Sequence, residues 1–146
     1  MEQIRFDSGM KKYRINKNGV LEFNPSDPNV FARFLAAAEK IKGIEAELAA
    51  QAASISPETA GEDTLRLMAE ADKKMKALLG EIFGGQNDFD AILQGVNLLA
   101  VAENGQRVVT NLFSALEPVL VAGAEACARE AKTQEVQKAR ARRSKQ

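Results

Sequence analysis

The sequence predicts a mainly α fold: a helical bundle of four to five helices with a small N-terminal β-hairpin or meander. Three observations carry this. After residue 28, apolar residues recur at spacings of three and four along four separate stretches, the period of a helix with one buried face. Before residue 25 they alternate with polar neighbours around turn residues instead, the period of a strand. Hydrophobic residues make up 45% of the 146, and many are alanine, which favours helix but adds little core volume. A chain of this length suits one domain, able to bury roughly 68–70% of the surface its unfolded form exposes. Within it we distinguish a β meander (residues 1–25), a helical body (26–128) and a basic C-terminal tail (129–146).

In the meander, Ile4 and Phe6 alternate with polar residues, as do Tyr13 and Ile15. Asn18-Gly19 predicts a type I′ hairpin turn, because both residue types tolerate positive φ. Ser8-Gly9 predicts a second turn, giving two or three strands. An isolated hairpin is marginal in water, so it should lean on the helices or on a partner.

Asp27-Pro28 is a helix start: a capping carboxylate followed by proline at the first helical position. The stripe Phe31, Phe34, Ala38, Ile41, Ile44 and Leu48 carries this helix to about Ala53. Ser56-Pro57 repeats the signal, with residues 57–63 as loop or a loose first turn. Leu65, Met68, Met75, Leu79 and Ile82 form the next stripe, with Asp72 interrupting it. Gly84-Gly85 should end that helix. Asn87 or Asp88 then caps a helix bearing Phe89, Ile92, Leu93, Val96, Leu99 and Ala100. Asn104-Gly105 marks a break. The last stripe is Val109, Leu112, Phe113, Leu116, Val119, Leu120, Gly123 and Cys127. Pro118 sits inside it and predicts either a kink or two helices with Pro118 starting the second.

The charge balance is 20 basic to 20 acidic residues. The tail holds Arg129, Lys132, Lys138, Arg140, Arg142, Arg143 and Lys145 against Glu130 and Glu135, so it carries +5 and the remainder −5. A basic tail on an acidic body suits an acidic partner, its own domain or nucleic acid. It has no aromatic residue for base stacking, so solvation or an acidic protein is favoured over nucleic acid, which stays as the alternative. No apolar run approaches the ~20 residues of a membrane span, and MEQIRFDSG lacks the apolar core of a secretory leader. A cytoplasmic protein is expected.

The chain has no histidine, no tryptophan and one cysteine. Without histidine, the usual group for proton transfer near neutral pH is missing. Cys127 lies on an apolar face and reads as a small buried hydrophobe. Asp88 with Asp90, and Glu62 with Asp63, lack the twelve-residue pattern of a calcium loop and read as caps and solvated charge. Gly80, Gly84 and Gly85 precede a helix start, but Gln86 and Asn87 stand where a phosphate loop needs lysine and a hydroxyl. No catalytic, cofactor or metal residue is assigned, and an enzyme is not expected. A binding or assembly protein is. Met75, Phe83, Phe89 and Phe113 are large or adaptable apolar groups that could line a groove for a partner helix, with plain core as the competing role. Self-association is compatible with the same stripes.

The order of the segments carries a resemblance. Arg14-Ile15 lies within the meander Ile4–Pro25, and FNPSDP leads into the helix with Phe31 and Phe34. The end LLGEIFGG, containing Ile82-Phe83-Gly84, precedes the capped helix from Asn87, and a basic tail closes the chain. This arrangement resembles the small proteins of the tail modules of long-tailed phages and prophages, of the tail assembly chaperone type. The resemblance implies a non-enzymatic protein of the bacterial host cytoplasm. Such a protein binds the hydrophobic, helical tape measure protein before the tail tube polymerises, and a frameshift often yields a longer form. The alanine-rich stretch Ala46–Ala53 has no counterpart in that pattern. Two alternatives remain: a nucleic-acid-associated accessory protein acting through the tail, and a minor structural protein of the virion.

Overall fold

The computed structural model describes residues 1–144. It is mainly helical, with one two-stranded antiparallel sheet. Strands β1 (Lys11–Ile15) and β2 (Gly19–Phe23) pair with Ile15 opposite Gly19 and Lys11 opposite Phe23. Gly19, Leu21 and Phe23 face the core, while Val20 faces outward. The turn is not the expected Asn18-Gly19 pair. It is the three residues Asn16 to Asn18, with Asn16 taking the positive φ of 53°. Gly19 serves packing: a Cβ there would lie 2.5 Å from the Ile92 carbonyl oxygen.

The Ser8-Gly9 turn does form. Gly9 has φ 77°, its N–H donates to Asp7, and the Asn24 amide donates to the Ser8 carbonyl. No strand precedes it. Ile4 and Phe6 are 90% and 81% exposed, so their alternation has no sheet or core to join.

Helix α1 (Pro28–Ala53) starts and stops as predicted. The Asp27 carboxylate accepts from Asn29 N–H at 2.9 Å, and Val30, Phe34, Ala37, Ile41 and Leu48 form its buried face. Helix α2 (Ala60–Phe83) begins three residues beyond Pro57, where Thr59 Oγ1 donates to Asp63 at 2.7 Å. Its buried face centres on Ala71, Met75, Leu79 and Ile82, which leaves Leu65 outside. Gly84 ends it with φ 104°.

The helix expected from Phe89 to Ala100 is a single turn, α3 (Phe89–Ile92), capped by Asp88. Gln94 and Gly95 then turn left-handed, with φ 55° and 76°. The chain continues irregularly so that Leu98 and Leu99 reach the core while Val96 stays exposed. What holds it is Asp72, the residue that seemed to interrupt a stripe. Its buried carboxylate accepts from Leu98 N–H at 2.7 Å.

Helix α4 (Val108–Ser144) runs through Pro118 as one helix, which removes the two-helix alternative. With 37 residues it is about 55 Å long at 1.5 Å per residue. Only Val109, Leu112, Leu116 and Leu120 are buried. At Gly123 it crosses the Pro25–Ser26 turn so closely that a Cβ would overlap the Pro25 carbonyl. From Ala128 to Ser144 every residue is exposed. Contrary to the expectation from apolar runs, α4 is long and apolar enough to cross a membrane by length and composition, although its Val109, Leu112, Leu116 and Leu120 pack into the body.

Two aromatic groups tie the elements together. Phe23 stacks on Tyr13 and meets Phe83 edge-on at 4.8 Å, and Phe83 leans on Phe89, joining the hairpin to the end of α2 and to α3. Phe34 stacks on Phe113 at 5.0 Å, joining α1 to α4.

Candidate protein-docking site

The four apolar residues proposed for a partner groove do not share a surface. Met75, Phe83 and Phe89 are core residues, buried because they sit where the hairpin, α2 and α3 converge. Phe113 is half-buried. One face of its ring stacks on Phe34, and the residue lines an open groove of about 280 Å³ between α1 and α4. Ala38, Ile41, Val109 and Phe113 form the apolar floor, and Lys42, Glu45, Ser114 and Glu117 the rim. Glu45 Oε2 meets Arg107 Nη1 at 3.6 Å beside it. The stripes identified Ala38, Ile41, Val109 and Phe113, but only the crossing of the two helices shows that Thr110 and Ser114 complete the groove.

A second, larger cavity of about 560 Å³ lies between the hairpin and the first half of α4. Tyr13, Ile15, Leu112, Leu116 and Val119 are among its walls, with Arg14, Asn16 and Asn111 as polar groups. The hairpin therefore leans on α4 across an incompletely filled space.

The polar groups behind these surfaces are structural. Lys76 Nζ sits 2.8 Å from Asp72 Oδ2 and 2.6 Å from Asp90 Oδ1, with its side chain 8% exposed. Burial alone would depress its pKa, but the hydrogen bonds it donates to Asp72 and Asp90 and their negative charges outweigh that, so the pKa is raised. A lysine held protonated between two carboxylates is a poor nucleophile. On the hairpin side, the Asn87 side chain bonds both the N–H and the carbonyl of Glu22, substituting for a missing neighbour strand. The Arg33 guanidinium donates to the Ile82 carbonyl near the end of α2.

Among the described residues no group of three or more Cys, Asp or Glu side chains is placed to hold a metal ion. Cys127 is half-buried on α4. Arg129, Lys132, Lys138, Arg140, Arg142 and Arg143 all lie on the exposed end of α4, and Lys145 lies outside the described residues. Comparison with known proteins finds no matching family model, no matching curated protein and no matching solved structure.

Proposed function

We propose that this protein is an assembly chaperone of the phage or prophage tail type, one that holds the amphipathic helices of a tape measure protein in the host cytoplasm. The observation that carries this reading is the groove between α1 and α4. It has an apolar floor flanked by polar rims of both charge signs, the pattern that accepts the apolar face of a partner helix. Its area is small, so binding at one copy would be weak and a long partner would be held by several copies. The resemblance in segment order supplies the identity of the partner, and the absence of histidine is consistent with a binding role.

Co-expression with the tape measure protein of the same phage tests this. The protein should keep that partner in the soluble fraction and co-purify with it. Ser114→Glu adds charge at the exposed rim beside Glu117, so it should leave folding intact and weaken capture at least about tenfold, roughly the 1.4 kcal/mol of one lost anchor. A partner that stays insoluble, or capture untouched by Ser114→Glu, would sink the proposal.

A further inference from the structure

The exposed end of α4 has an arrangement of charge that the groove reading leaves unused. Taking 100° per residue, Arg129, Lys132, Val136, Arg140 and Arg143 fall within an arc of about 80°. They make one stripe about 21 Å long at 1.5 Å per residue. Every member is exposed, and among the described residues none of the four cations is within ion-pair distance of an acid. The salt bridge in this segment, Lys138 to Glu135 at 3.6 Å, lies on another side of the helix. The acid that does share the face is Glu125, one turn before Arg129 and next to the body.

We infer that this stripe binds the phosphate backbone of duplex nucleic acid. The competing occupants each need something the stripe lacks. A protein groove takes apolar anchors at successive helical turns, and here Val136 is the one large apolar side chain. A membrane surface needs a face of Leu, Phe or Trp opposite the cations. Single strands are held by aromatic stacking, and the segment has no aromatic. Duplex phosphates ask only for positioned Lys and Arg, and the major groove is wide enough to admit an α-helix. The stripe begins just beyond Cys127, the last half-buried residue of α4, and runs away from the acidic body, so repulsion from that body acts mainly at its near end.

The test is fluorescence anisotropy of the full chain with a labelled DNA duplex of about 24 base pairs, over roughly 50 to 200 mM salt. Binding at the low end should weaken with a log–log slope near about −3.6, from about −0.9 for each of four phosphates. The quadruple variant Arg129→Gln, Lys132→Gln, Arg140→Gln, Arg143→Gln should bind at least about tenfold more weakly with a nearly flat slope, while circular dichroism shows an unchanged fold. Three results would overturn the inference: no duplex binding at low salt, an unaffected quadruple variant, or equal binding to poly-glutamate, which would assign the stripe to acidic proteins.

Discussion

The two ends of α4 are built from different material and sit in different surroundings. From Val109 to Leu120 the helix places an apolar residue every three or four positions, and each lands on α1, the hairpin or the irregular segment after α3. From Ala128 to Ser144 it is rich in alanine and charge and touches nothing. Alanine gives the free end helical propensity, but an isolated helix of this length is marginal without tertiary packing. One helix therefore joins a stretch stabilised by burial to a stretch stabilised mainly by local interactions, such as the Lys138–Glu135 ion pair. The packed half fixes the direction in which the free half projects, and that direction makes the free half useful for binding.

Breaking the body should cost far more than breaking the projection. The largest effect is expected for Asp72→Ala. It strips the acceptor from Leu98 N–H and leaves Lys76 buried with one carboxylate, at a cost of roughly 3–5 kcal/mol in urea unfolding. The same site gives a pH signature. Because the folded pKa of Lys76 is raised above the ordinary 10.5, its ion pairs stabilise the protein fully below that value and are lost as pH rises through the folded pKa. Wild type should therefore lose stability in strongly alkaline buffer, and Lys76→Met should lack that alkaline step.

Leu120→Ala, in the packed half of α4, should cost roughly 2–5 kcal/mol by opening a cavity. Gly19→Ala comes next, at roughly 1–3 kcal/mol, since its methyl must push the Ile92 carbonyl away. Val136→Ala in the free half should lie within about ±0.5 kcal/mol. If Val136→Ala matched Leu120→Ala in thermal or urea unfolding, the two halves would not differ as described.

The same contrast explains what could be read from sequence. Local signals were legible: Asp27-Pro28 starts α1, Gly84-Gly85 ends α2, and the hairpin lies where alternation gives way to helical period. Signals that depend on distant partners were not. The spacing from Phe89 to Leu99 fits a helix as well as it fits one turn followed by a loop, and the choice is made by Asp72, 26 residues from Leu98. Asp72 read alone is a blemish in a stripe; it is in fact the acceptor that holds a loop. Asn18-Gly19 gave the right hairpin by the wrong turn, because Gly19 answers to Ile92 rather than to φ. Met75, Phe83 and Phe89 look like groove residues by type, yet three elements close over them. Of the candidate groove, the apolar floor was visible as stripe members, Ala38 among them, while Thr110 and Ser114 became part of it only through the crossing of α1 and α4.

Hydrogen exchange along α4 tests the division of the helix most directly. Amides from Leu112 to Leu120 should open only with global unfolding, whereas those from Arg129 to Ser144 should exchange much faster through local fraying of the helix, with the change falling near Cys127. Equal protection of both halves would contradict the account, because it would mean that the exposed half is covered by something the isolated chain does not provide.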